Sequence, residues 1–131
     1  MKNLRKKLSV AASALVLSGA AVMTGASSAE AAAWSCAYPY ACLYDYDKHL
    51  IEDYKDVTSG WQWFSNTNVY HAVNSRNDDV VYIHHTNGIV ACLPSGHPER
   101  VYKLYSYVPD AIRIDSSPSC GSTLVPEYFV P

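Results

Sequence analysis

Short runs of β-branched and aromatic residues recur from about residue 40 onward, each closed by Gly, Pro, Asn, Asp or Ser. The clearest is Val80 to Leu93, where two such runs flank Asn87-Gly88. Asn-Gly suits the two positive φ angles of a type I′ turn, so the pattern predicts an antiparallel hairpin. A two-residue turn there sets Thr86 opposite Ile89, His84 opposite Ala91 and Ile83 opposite Cys92. The face with Val81, Ile83 and Cys92 is expected inside, because Cys92 is a candidate for a buried disulfide. Further strands are predicted at Leu43–Asp45, Leu50–Tyr54, Val69–Val73, Val101–Val108 and Ala111–Ile114. Trp61 to Phe64 reads as a strand or one helical turn, and Pro109-Asp110 as a turn. About eight strands at 8–12-residue spacing, with no 3.6-residue period, predict an all-β domain: a small sandwich or Greek key.

The first stretch breaks this pattern. Lys2, Arg5, Lys6 and Lys7 precede an apolar run from Leu8 to Met23 and small residues ending in Ala29-Glu30-Ala31. That is the layout of a secretory signal peptide over residues 1–31, with cleavage after Ala29 or Ala33 as alternatives. The apolar run is short and ends in small polar residues, which argues against a membrane anchor. Export changes the charge. The chain has 10 basic and 12 acidic residues, and the part after residue 31 keeps 6 and 11, a net of −5. No basic patch survives, so nucleic acid and anionic membrane are disfavoured as partners, and no membrane insertion is expected after cleavage. The remainder, about 100 residues, is one domain with a modest core. It divides into a sandwich over 32–120 and a C-terminal tail over 121–131, apolar and with two prolines.

All four cysteines, Cys36, Cys42, Cys92 and Cys120, follow the signal. An even count in a small exported chain reads as two disulfides. Of three possible connectivities, Cys36–Cys42 with Cys92–Cys120 is preferred. The first closes a short loop around Pro39, and the second staples the hairpin to the last part of the chain, worth roughly 3 kcal/mol in the chain-entropy model. No C-x2-C spacing supports zinc. All eleven tyrosines lie in the same region, which suits both a thin core and a binding surface.

Candidates for chemistry are sparse. His84-His85 are neighbours on a strand and point to opposite faces, so they share no ligand without a bulge. His49, His71 and His97 are scattered. Asp78-Asp79 could hold calcium weakly, yet turn chemistry explains them as well, and Arg76 could pair with either. No G-x-S-x-G occurs, and Glu52, Asp53 and Asp56 select no glycosidase pair. An enzyme is disfavoured, and no cofactor or metal is expected.

Several stretches carry a resemblance: Cys36-x5-Cys42-Leu43-Tyr44-Asp45, Tyr54 to Gln62, Asn77-Asp78-Asp79-Val80 with Tyr82, and Cys92-Leu93-Pro94. Together they resemble small secreted actinobacterial proteins of the Streptomyces metalloproteinase inhibitor type. The resemblance implies a βγ-crystallin-like Greek-key fold, two disulfides and inhibition of an extracellular metallopeptidase. That fold places a glycine after the aromatic corner, and His49-Leu50-Ile51 supplies none. Its calcium signature is unmatched at Thr58-Ser59 and Ser116-Ser117, so calcium is not implied. An inhibitor presents a loop that a rigid scaffold holds near its bound shape. Ser65–Asn68, Cys36–Cys42 and Pro94–Arg100 are the candidate loops, with Pro94, Ser95, Gly96, His97 and Pro98 preferred. The expectation is therefore a secreted, monomeric, non-enzymatic inhibitor of an extracellular peptidase. A cell-surface or envelope module is the alternative, and a small secreted hydrolase the third.

Overall fold

The computed structural model describes residues 34–131; the signal peptide read over residues 1–31 lies outside the described residues. Nine strands form: β1 Ala41–Tyr44, β2 Leu50–Tyr54, β3 Gln62–Trp63, β4 His71–Asn74, β5 Val80–His85, β6 Val90–Leu93, β7 Val101–Lys103, β8 Pro109–Asp115 and β9 Tyr128–Phe129. They make two sheets, ordered β2-β1-β4-β7-β9 and β3-β8-β5-β6, and the strand pairs within each sheet are antiparallel. The two orders mirror each other. In β1–β4 the hairpin and the fourth strand share a sheet and the third strand crosses over. In β5–β8 the same happens in the opposite direction, so each half donates its third strand to the other.

The core lies between the sheets, built from Leu43, Ala72, Val81, Ile83, Leu93, Tyr102, Ile112 and Ile114 among others. Four-residue β1 is buried throughout, which explains why no alternation marks it in the sequence. Its second face is covered by the preceding segment, where Trp34, Cys42, Tyr44, Val73 and Val101 form a second cluster. The two disulfides are Cys36–Cys42 and Cys92–Cys120, the preferred pairing. Each closes over the outer side of one sheet.

The central hairpin forms with a shifted register. Val81 pairs with Leu93, Ile83 with Ala91 and His84 with Val90. The turn has three residues: Gly88 N donates to His85 O (2.8 Å), and His85 N donates to Ile89 O (3.0 Å). Gly88 alone is left-handed (φ 84°), because Lys48 is the one non-glycine with positive φ among the described residues. This is a type I turn followed by a left-handed glycine, and it moves every facing pair by one residue. Ala91 and Leu93 therefore face the core beside Val81 and Ile83, while Cys92 lies on the outer face opposite Tyr82. Cys92 is still fully buried, beneath its partner segment.

The β1–β2 turn repeats this geometry. Lys48 N donates to Asp45 O and Asp45 N donates to His49 O, with Lys48 at φ 71° where the other hairpin has Gly88. Two other boundaries differ from expectation. Strand β7 stops at Lys103, and the turn falls at 105–107, so Pro109-Asp110 begin β8 instead of turning the chain. The segment read as a tail is part of both sheets. Cys92 N donates to Leu124 O (2.7 Å), Lys103 N donates to Glu127 O (2.8 Å), and β9 pairs with β7.

A polar junction joins the halves between β4 and β5. Asn74, fully buried, donates its amide nitrogen toward the carbonyls of Asp79, Leu93 and Pro94 at 3.1–3.2 Å. Buried Arg76 donates Nε to Asp79 Oδ2 (2.7 Å) and Nη1 to Pro39 O (2.6 Å) and Lys55 O (2.9 Å), while Nη2 also meets Asp79. Ser75 Oγ reaches Ala37 O and Tyr40 O. A guanidinium out of water is tolerable because four of its five N–H groups meet acceptors, one of them a carboxylate.

Two outcomes follow from this packing. Removing the carboxylate in Asp79→Ala leaves Arg76 buried without its counter-charge and lowers unfolding free energy by about 3–5 kcal/mol, whereas exposed Asp78→Ala stays within about 0.5 kcal/mol; urea denaturation of both checks this. A left-handed backbone costs an L-residue about 1–2 kcal/mol, partly offset by the extra unfolded-state freedom of glycine. Lys48→Gly should then raise unfolding free energy by about 0.5–1 kcal/mol, and Gly88→Ala, with no atom within 4 Å of the new Cβ, should lower it by about 1 kcal/mol. Equal stability of the three proteins contradicts the assignment of strain.

Candidate functional site

The preferred loop, Pro94 to Pro98, leaves β6 at the junction and crosses to the other sheet. Three bonds hold its base. Asn74 Nδ2 donates to Pro94 O (3.2 Å), Gly96 N to Arg76 O (2.8 Å), and Ser95 Oγ to Pro118 O (3.2 Å). Gly96 is left-handed (φ 76°), which lets the chain turn back within this short span. Beyond the base, Gly96, Pro98 and Glu99 are exposed. Glu99 lies 3.3 Å from His97 Nδ1 and 3.7 Å from Arg100 Nε, and the Arg100 guanidinium sits 4.3 Å over the Tyr128 ring. The loop therefore has a fixed root and a small polar crest. Of the other two candidates, Ser65–Asn68 is an exposed turn closed by Asn68 N donating to Asn66 Oδ1 (2.8 Å). The Cys36–Cys42 loop is pinned over the first sheet, with Tyr38 61% exposed.

The histidine pair separates as strand geometry requires. His85 turns inward, is buried, and sets Nδ1 3.2 Å from Ile89 O. His84 lies on the outer face of the second sheet, with Nδ1 2.6 Å from Asp110 Oδ1. Asp110 reaches it through a bulge: His84 faces Ala111 and His85 faces Pro109, so Asp110 is the extra residue and its side chain is re-aimed. Around this pair runs a ladder of rings. Trp63 and Trp61, two residues apart and so on one side, lie 5.3 and 5.4 Å from the His84 ring. The Arg113 guanidinium stands 5.0 Å from both the Trp61 and Tyr82 rings. Trp63 remains 64% exposed. The signal for this face is the Trp-Gln-Trp alternation, which places both indoles together only if the segment is a strand. The Asp110 partner had no sequence signal, because a bulge is needed to bring it there.

Asp79 is occupied by Arg76, and among the described residues no group of three or more His, Cys, Asp or Glu side chains could hold a metal ion. His49 is bonded to Asp45, its Nδ1 3.0 Å from Oδ2. His71 is buried among rings, with Trp34, Tyr105 and Phe129 at 5.0–5.9 Å. Burial pushes the imidazoles of His71 and His85 below the ordinary histidine value, against the opposing pull of the Asp45 and Ile89 carbonyls.

Comparison with protein-family models, with curated proteins and with solved structures finds no match to this chain.

A pH dependence follows from the two buried imidazoles. Their folded-state pKa values lie below the unfolded value of about 6.5, so in the window beneath it the unfolded chain binds more protons. Unfolding free energy is complete above about pH 6.5 and falls as pH drops through the lower folded values. His71→Phe, which keeps a ring in place, should remove part of that slope. Chemical denaturation between pH 7.5 and pH 5 measures it, and a flat profile for the parent contradicts the assignment.

Proposed function

We propose that the chain is an exported, non-enzymatic protein that binds and blocks an extracellular peptidase, on a Greek-key sandwich of the βγ-crystallin type. The exchange of third strands between the two halves supports the Greek-key reading, as does the left-handed third turn position shared by the β1–β2 and β5–β6 hairpins. Two disulfides suit an oxidising compartment, and among the described residues no helix is long and apolar enough to cross a membrane.

The observation that carries the inhibitor reading is the triple anchorage of Pro94–Pro98. A loop whose root is bonded to the polar junction and to the segment beside Cys120 loses little freedom on association. Its exposed residues then meet a partner at low ordering cost. A second reading, a module that binds the cell surface or envelope, draws on the half-open aromatic ladder of Trp61, Trp63 and Tyr82 with its Arg113 and His84–Asp110 polar groups. Stacking faces beside paired donors and acceptors suit a polyhydroxylated surface.

Titration of the purified protein against a secreted metallopeptidase and a secreted serine peptidase separates the two. The inhibitor reading predicts stoichiometric loss of activity in at least one titration. It also predicts that the double variant His97→Ala, Pro98→Ala weakens inhibition by about tenfold or more with the fold intact. No inhibition at micromolar excess overturns it, and retention on isolated cell wall, lost in Trp63→Ala, then supports the surface module.

A further inference from the structure

On one side of the sandwich, the chain after Cys120 spans from β6 to β7. Leu124 O accepts from Cys92 N (2.7 Å) and Glu127 O accepts from Lys103 N (2.8 Å), so the span is tied to a different sheet at each end. Behind it lies a cavity of about 260 Å³. Ala91 and Leu104 form its floor, and both belong to the main core. Ile89, Leu124, Val125 and Pro126 supply its walls, with exposed Tyr105 and Tyr107 at the mouth. An apolar cavity of about 150 Å³ holds a benzene ring. The cavity here therefore takes a ring with a short substituent.

Two features of the lining select the ligand. The first is charge. Lys103 and Glu127 are the charged residues among the described lining, and they stand at the rim with Nζ 3.5 Å from Oε2. The pair is matched within itself, and burial keeps His85 neutral at pH 7. An ion entering the cavity would exchange water for aliphatic walls without gaining a counter-charge.

The second feature is a single acceptor. His85 lines the cavity and is buried, with Nδ1 3.2 Å from Ile89 O. A carbonyl oxygen only accepts, so Nδ1 carries the imidazole proton and Nε2 presents a lone pair. That Nε2 has no protein partner among the described residues, yet it is not sealed from solvent. Since the rest of the residue is buried, the cavity is its opening. A pure hydrocarbon would cover this lone pair and leave it unpaired, whereas one hydroxyl satisfies it. The several hydroxyls of a sugar, or the amides of a peptide, would meet aliphatic walls and stay unmatched.

We propose that this cavity binds a small neutral apolar molecule carrying one hydroxyl, which donates a hydrogen bond to His85 Nε2. The inference goes beyond peptidase inhibition, and it rests on neither the Pro94–Pro98 loop nor the Trp61–Trp63 ladder.

The test uses the purified, oxidised protein at pH 7.5 and three probes of one shape: 4-ethylphenol, 4-ethylanisole and 4-ethylbenzoate. Binding is followed by amide chemical shifts and by the His85 Nε2 nitrogen resonance. The proposal predicts saturable shifts at Ile89, Ala91, Leu104 and Leu124 with the phenol, and an upfield move of the Nε2 resonance. The ether, which lacks the donor, should bind about fivefold weaker and leave that resonance in place. The benzoate should bind about tenfold weaker or more. His85→Phe, which keeps a ring, should lower the phenol to the affinity of the ether, while Leu124→Ala, at an exposed wall, weakens phenol and ether alike. The probe comparison and the Nε2 resonance are read in the parent protein, so they decide the matter even where His85→Phe fails to fold. Equal affinity for phenol and ether, tightest binding of the benzoate, an unmoved Nε2 resonance at saturation, or no saturable shift at the lining amides each overturns the proposal.

Discussion

The structure depends on one buried cation. Arg76 sits where the two halves of the chain meet, and its guanidinium has partners from three places: the Asp79 carboxylate, the carbonyl of Pro39 before β1 and the carbonyl of Lys55 after β2. Asn74 and Ser75 extend the same junction to Leu93, Pro94, Ala37 and Tyr40. Buried polar groups of this kind add little net stability when satisfied and cost much when one partner is lost, so they specify an arrangement more than they strengthen it. The junction fixes how the first half docks on the second, where the leading segment lies, and where the Pro94–Pro98 loop begins.

Around that junction a small domain covers itself. The segment from Trp34 to Tyr40 shields the outer side of the first sheet, and the chain through Ser117 and Cys120 shields part of the second, where Val80 N donates to Ser117 O. The last residues then link β6 of one sheet to β7 of the other. Three features stay open to solvent: the anchored loop, the Trp61–Trp63 ladder and the tyrosine-rimmed cavity. Two of them are rich in rings, so the unusual tyrosine content divides between packing (Tyr44, Tyr102) and presentation (Tyr46, Tyr105).

Much of the fold was legible because β-branched runs and turn residues are local signals. The all-β class and the central hairpin come from such signals, whereas the cysteine pairing was a preference among three connectivities that the structure shows. What failed was what needs a second strand to decide. Asn87-Gly88 announces a turn but does not say whether one or two residues become left-handed, and that choice shifted the register and moved Cys92 to the other face. Tyr105 and Tyr107 look like strand residues and are turn residues, because β7 ends where its pairing with β4 ends at Lys103. Tyr128-Phe129 looked like a tail because the strand that receives it, β7, lies far upstream. At the candidate sites, the Pro94–Pro98 loop was visible from its punctuation. The His84–Asp110 pair and the cavity were not, since a bulge makes one and long-range convergence the other.

The most direct measurement of the central claim is native-state hydrogen exchange at the junction amides. Arg76 N donates to Asn74 Oδ1, Gly96 N to Arg76 O, and Ser75 N to Tyr40 O. If the junction couples the two halves, these amides exchange only through global opening, with the same free energy as the core amides of β5 and β8. Exchange at Arg76 and Gly96 through an opening several kcal/mol below the global value, with the strands still protected, would show that the halves hold together without it.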